Sequence, residues 1–262
     1  MVAHLMSYKI SFGGLSDIGL VRQNNEDVWS YIPELKLFVL ADGMGGHQAG
    51  EIAAREAVNE LSRALKTKIK DTDNQLSLKE NEDLLRRAIK HINSYIFRMG
   101  REDPNLRGMG TTVCCLQFQD RGAIYAHVGD SRIYLFRDKK IVQLTKDHSL
   151  LCELVDQGHM DEDQVADFLY KNIITKAIGT EPKVEPDVTS MELCVGDIFI
   201  MCTDGLSDLL NTNEMISILE TSPSLEEATK ALITIANQKG GRDNITVVLI
   251  KVENGDDSKN LP

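Results

Sequence analysis

Apolar residues recur along this 262-residue chain with two different periods. Short β-branched or aliphatic runs bounded by Gly, Asp or Asn lie at 7–12, 36–41, 112–118, 123–128, 132–136, 141–144, 197–202 and 245–252, and predict strands. The four between 112 and 144 follow one another at hairpin spacing, with QDRG and RDKK as turns, so at least part of the sheet is antiparallel. Three stretches keep a helical period instead: Ala54, Val58, Leu61 and Leu65; then Leu85, Ile89, Ile92, Ile96 and Met99; then Leu225, Ala228, Leu232 and Ile235. Ser224 and Glu227 stand in the reciprocal arrangement that caps the last of these. Helices come in blocks rather than after every strand, which predicts α+β layers and not a doubly wound parallel sheet.

Between the first two helices, 71–79 reads as a polar loop. The acidic stretch 148–171 reads as a helix-and-loop insertion, 253–262 as a polar tail, and no internal repeat is visible. With 42% hydrophobic and 26% charged residues the composition is that of an ordinary globular chain, and with only 5% aromatics its core must be aliphatic. The unbroken apolar runs at 37–41 and 198–202 are far short of the roughly 20 residues a membrane helix needs. The start, MVAHLMSYKI, lacks the pattern of a secretory signal, so the expected compartment is the cytoplasm. Cys114, Cys115, Cys152, Cys194 and Cys202 contain no Cys-x-x-Cys and sit mostly in apolar runs, predicting reduced thiols with neither disulfide nor zinc. A net charge of -11 opposes nucleic acid and anionic membranes, and a phosphate ligand would need that field inverted locally.

Acids at strand ends carry the chemistry. LFVLADG ends in Asp42, IYAHVGD in Asp130 and IFIMCTDG in Asp204, while GGRDNITVVLI places Asp243 just ahead of a strand. One Asp-Gly after a strand is a turn signal. Several together predict carboxylates that meet at one edge of the core, where burial and mutual repulsion are relieved by a hard cation. All-oxygen ligation without the twelve-residue calcium loop points to Mg²⁺ or Mn²⁺, and to more than one ion.

The blocks SDIGLVRQNNEDVW (16–29), VLADGMGGHQAGEIAA (39–54), RGMGTT (107–112), HVGDSRIYLFR (127–137), LTKDHS (144–149), IITKAIGTE (173–181), DIFIMCTDGLSDLL (197–210) and GGRDNITVVLI (240–250) resemble, in order, the bacterial members of the metal-dependent serine/threonine protein phosphatase family, PPM or type 2C. The resemblance implies a four-layer α/β/β/α sandwich, two antiparallel sheets flanked by helices, formed by a single domain over 1–252 with a flap insertion at about 148–171. It implies that Asp42 bridges two ions, that the Gly43 carbonyl binds one of them, and that Asp204 and Asp243 bind the other. Glu26 and Asp27 complete the site, Asp130 shares a third, weaker ion with Asp204, and Asn244 supports its neighbour. Arg22 is the expected phosphate clamp, since a guanidinium binds two phosphate oxygens at once.

The expected activity is hydrolysis of phosphoserine and phosphothreonine in proteins by a metal-activated water, reversing a eukaryotic-like serine/threonine kinase, in a monomer. Eukaryotic members commonly place a histidine after the Asp-Gly; here Met44 stands there and His47 follows three residues on, so the general acid is open and His47 is read as organising the Gly-rich turn. His127 and His148 are read as structural. Cys115 and Arg121 have the spacing of thiolate phosphatases, but LQFQD between them continues a strand and cannot curl around a phosphate. Two rivals share the fold or the chemistry: a non-catalytic phosphoprotein-binding regulatory module, and a small phosphoester hydrolase.

Overall fold

A computed structural model of the chain describes residues 8–45, 48–70, 76–120, 122–159 and 173–255. Along it run β1 (Tyr8–Asp17), β2 (Asp27–Ile32), β3 (Leu37–Met44), α1 (Gln48–Lys70), α2 (Leu78–Glu102), β4 (Gly110–Thr111), β5 (Val113–Gln119), β6 (Gly122–Val128), β7 (Arg132–Arg137), β8 (Lys140–Gln143), α3 (Leu150–Asp156), β9 (Asp187–Met191), β10 (Ile198–Cys202), the single turn α4 (Asp204–Ser207), α5 (Thr212–Thr221), α6 (Leu225–Gln238) and β11 (Ile245–Asn254). One sheet has the order β1-β11-β10-β7-β8 and the other β2-β3-β5-β6-β9, with β4 paired to β3. The strand pairs are antiparallel.

Strand β3 shows why the apolar runs are unbroken. Leu37, Val39 and Ala41 pack with the inner faces of α1 and α2, whereas the alternate residues Phe38 and Leu40 face the other sheet. Alternate side chains leave a strand on opposite faces, and here both faces are covered. The same alternation separates Cys115 from Cys114, Ile200 from Phe199 and Leu249 from Val248, so three apolar layers hold four structural layers together. The scarce aromatics are concentrated in the middle layer, where Phe118 meets Phe38 and Phe199 edge-on at 6.1 and 5.6 Å between ring centroids. On the far side α5 and α6 cover β10 and β11.

Several boundaries differ from expectation. The four central strands do not form one meander: β5–β6 belongs to one sheet and β7–β8 to the other, and the chain crosses between them at Gly129–Ser131. Helix α2 begins inside the expected 71–79 loop, because Ser77 and Glu80 cap it reciprocally. In α6 the Ser224 hydroxyl accepts the Glu227 N–H at 3.2 Å, one arm of the predicted cap. Strands β2 and β9 lack a continuous apolar run; each is an outer strand of its sheet with mostly half-buried residues. Strand β11 reaches Asn254, into the expected tail. Of the 148–171 insertion, 148–159 is described and contains α3, capped by Ser149; 160–171 lies outside the described residues. All five cysteines are free, Cys114, Cys115 and Cys202 buried but Cys194 exposed. No described helix is long and apolar enough to cross a membrane.

Candidate metal and phosphate site

Acids from both sheets come together at one end of the sandwich. Asp27 opens β2 directly opposite Asp42 on β3. Asp204 follows β10 and opens α4, Asp243 precedes β11, and Asp130 sits in the crossover between β6 and β7. Next to Asp42, Gly43 donates its N–H to the Glu26 carbonyl at 3.1 Å. A side chain at Gly43 would lie 2.2 Å from the Gly50 carbonyl, and one at Gly50 would lie 2.0 Å from Glu26 Oε2. These two glycines let the strand end, the first turn of α1 and the Glu26 carboxylate pack on one another.

Hydroxyls fix the acids. Asp27 Oδ2 accepts from Thr246 Oγ1 at 2.7 Å and Thr203 Oγ1 at 2.9 Å, both from the opposite sheet end. Thr112 Oγ1 accepts the Asp42 N–H at 2.9 Å and contacts Ser131 Oγ at 2.8 Å, tying Asp42 to the Asp130 loop. Asn244 accepts the Glu26 N–H at 2.8 Å and donates to the carbonyls of Ile18 and Asn24 at 3.0 and 2.9 Å, pinning the loop that carries Arg22. Its own N–H donates to Asp243 Oδ1 at 2.8 Å.

The electrostatics call for a cation. Burial lifts the Asp42 carboxyl well above the usual range, and the fields of Asp27, Asp204, Asp130 and Asp243 lift it further. Burial, then Asp130, Asp243, Asp208 and Asp27, does the same to Asp204. Burial raises Asp27 and Asp130 to about 6 and pushes Glu26 upward. Asp27 Oδ1, Asp130 Oδ1 and Asp204 Oδ1 are buried with no hydrogen-bond donor among the described residues. A proton shared between Asp27 and Asp42 would relieve that one pair; with the cluster ionised, the three buried oxygens still have no hydrogen-bond donor among the described residues. A set made of carboxylate oxygens, three of them orphaned, fits a hard divalent ion.

Arg22 stands at the rim, 55% exposed, and donates to Asp243 Oδ2 at 2.7 Å. That pairing raises its already high pKa. Thus Glu26, Asp27, Asp42, Gly43, Asp130, Asp204, Asp243, Asn244 and Arg22 share one end of the molecule, while His47 lies outside the described residues. Met44 ends β3 and pairs with Gly110. Cys115 is in the middle of β5 with its thiol pushed up to about 12 by burial, the opposite of an activated nucleophile. Sequence reading passed over Thr112, Ser131, Thr203 and Thr246; for three of them the signal was a hydroxyl within three residues of a strand-end acid, in GDS, CTD and DNIT, whereas Thr112 is far along the chain from any of these acids.

The Protein phosphatase 2C family model matches residues 19–249. A putative protein phosphatase 2C-type of Streptococcus pyogenes is 40% identical over 244 residues, 92% of this chain and 97% of that one. The S. agalactiae serine/threonine phosphatase superposes with a TM-score of 0.86 at 38% identity, covering 94% of this chain and all 100% of that one. The catalytic domain of the serine threonine protein phosphatase PstP in complex with 2 manganese ions superposes with a TM-score of 0.78 at 34% identity over 94% of this chain and 100% of that one. With acids from both sheets gathered at one end of an α/β/β/α sandwich and this likeness running nearly end to end, the chain belongs to the protein phosphatase 2C family.

Proposed function

We propose that this end of the sandwich is the active centre of a metal-dependent serine/threonine protein phosphatase acting on phosphoserine and phosphothreonine in proteins. The observation that carries the reading is the set of three buried carboxylate oxygens, on Asp27, Asp130 and Asp204, that have no donor among the described residues. Asp42, the Gly43 carbonyl, Asp204, Asp243, Glu26 and Asp27 would hold two Mn²⁺ or Mg²⁺ ions, and Asp130 with Asp204 a third. Divalent ions supply two things when bound: a water of lowered pKa, and positive charge that offsets the phosphate. Thr112 holds the backbone N–H of Asp42, and Thr203 and Thr246 hold one oxygen of the Asp27 carboxylate, so protein groups position both residues. Arg22 binds two phosphate oxygens; leaving Asp243 costs it little, because an exposed ion pair is worth about 0 to 1 kcal/mol. No phosphoenzyme is needed, and the buried Cys115 takes no part.

The chain acts as a monomer with one catalytic domain, in the cytoplasm, reversing a serine/threonine kinase. The test is phosphate release from a phosphothreonine peptide with Mn²⁺, with EDTA, and with Asp42→Asn or Asp204→Asn. Turnover that needs Mn²⁺ and is lost in both variants is expected. Inactivity of the parent at saturating Mn²⁺ would instead favour a non-catalytic phosphoprotein-binding module, and preference for a small phosphoester over the peptide would move the substrate class.

A further inference from the structure

Opposite the Thr112 side of the Asp130 loop lies a cluster that the reaction as described does not use. His127 at the end of β6 and His148 stack with ring centroids 4.7 Å apart and planes 7° from parallel, and Asp187 of β9 joins them. Two histidines and a carboxylate within 4.8 Å resemble a metal site. Their geometry opposes it: stacked imidazoles direct their in-plane lone pairs side by side, not at a common point, and the Lys176 ammonium sits 3.1 Å from His148 Nε2.

The hydrogen bonds assign another role. The Gly129 N–H donates to His148 Nδ1 at 3.0 Å, and the His148 N–H donates to the Gly129 carbonyl at 3.0 Å. A backbone N–H can only donate, so Nδ1 accepts, while Nε2 lies 3.1 Å from both Asp187 Oδ2 and Lys176 Nζ. The His148 carbonyl accepts the Thr175 N–H at 2.9 Å, so each of its four polar groups is engaged. Burial, His127 and Lys176 hold the imidazole pKa down at about 4, in keeping with an accepting Nδ1. His127 reinforces the contact by pairing Nε2 with the Lys146 carbonyl at 2.7 Å. On its other side Gly129, at φ +110°, lies so close to Thr112 that a side chain would come within 2.6 Å of Thr112 Cγ2. The peptide before Asp130 is therefore wedged between Thr112 and His148.

We propose that His148 is a positioning residue for the reaction: by pairing with both peptide groups of Gly129 it fixes the backbone from which Asp130 reaches the third cation. The proposal rests on the reading of Asp130 as a ligand. Supporting groups behind a ligand are worth about 10- to 100-fold in metal affinity. His148→Leu removes the acceptor and the Asp187 contact while keeping the backbone pairing. His148→Gln can still accept from Gly129 and donate to Asp187.

The experiment is calorimetric titration of the EDTA-stripped full chain with Mn²⁺, together with hydrogen exchange of the Gly129 amide by NMR. In H148L the weakest Mn²⁺ event is expected to weaken about tenfold with the tighter events unchanged, the Gly129 amide to exchange faster, and H148Q to restore most of the affinity. Asp130→Asn is expected to lose the same event, and H148L added to it to change nothing more. An intact weak event in H148L beside its loss in D130N overturns the role of His148 alone. An intact weak event in D130N overturns the placement of the ion and the proposal with it. Equal weakening of all events by H148L, or additive losses in the double variant, also overturns it. Should H148L fail to fold, His148→Phe, which keeps a ring to stack on His127 but offers Gly129 no acceptor, replaces it; an unshifted weak event in that variant likewise overturns the proposal.

Discussion

Asp27 on one sheet accepts the Thr246 hydroxyl of the other at 2.7 Å, while the second oxygen of the same carboxylate is buried without a donor among the described residues. One half of the group is anchored and the other faces the cation site proposed above. Thr246→Val keeps the volume and removes one anchor, so it should cost about 1 to 3 kcal/mol in the stripped protein. It should also raise the Mn²⁺ concentration needed for half-maximal turnover. Denaturant unfolding with EDTA and a Mn²⁺ titration of activity measure the two effects, and an unchanged midpoint in both would remove Thr246 from the site.

Metal removal should interact with pH in a defined direction. Asp27 and Asp130 stand at about 6 in the folded chain against a reference of 3.8. Between those values the stripped folded state holds more protons than the unfolded one, so its stability falls as pH rises through the window. His127 and His148, with lowered pKa values, act in the opposite sense, but they do so with or without metal and cancel in a difference. The gain in Tm on adding Mn²⁺ should therefore grow between about pH 4.5 and pH 7, by on the order of 5 °C. Paired thermal melts check this, and a gain that does not rise with pH would argue against carboxylate ligation.

Arg22→Ala should separate activity from stability. The pair with Asp243 is half exposed and contributes at most about 1 kcal/mol, so the melting temperature should barely move. Loss of a bidentate phosphate contact should lower kcat/KM for a phosphopeptide on the order of a hundredfold, with Arg22→Lys recovering only part. Steady-state kinetics beside a thermal melt decides it; equal kinetics would make Arg22 a bystander.

Cys115→Ala should leave turnover within about twofold, because the thiol is buried in β5 and far above its ordinary pKa. In the native protein a thiol reagent should label Cys194 first and Cys152 more slowly, with Cys114, Cys115 and Cys202 protected until unfolding. Loss of activity in the alanine variant would reopen a thiolate mechanism.

Much of this was legible in the sequence, for physical reasons. Runs such as 37–41 are unbroken because both faces of β3 are covered, and acids stand out at their ends because an ionised group interrupts a buried strand. The assignment of β6 and β7 to different sheets was not legible: hairpin spacing describes distance along the chain, and the Gly129–Ser131 turn looks like any other short connection. Thr203 and Thr246 escaped notice because a threonine in a strand is ordinary; only the fold shows both hydroxyls on one carboxylate. His148 was read as structural, and the pairing with Gly129 gives that reading a specific consequence for Asp130.

The acids are divided between the two halves of the sandwich, Asp27 and Asp42 on one sheet, Asp204 and Asp243 at the strand ends of the other. An ion held by the proposed ligands would therefore couple its own binding to the docking of those halves. Truncating Phe118 or Phe199, wholly within the middle apolar layer, is therefore expected to weaken Mn²⁺ affinity without altering any of the proposed ligands, and added Mn²⁺ to restore part of the stability lost with the ring.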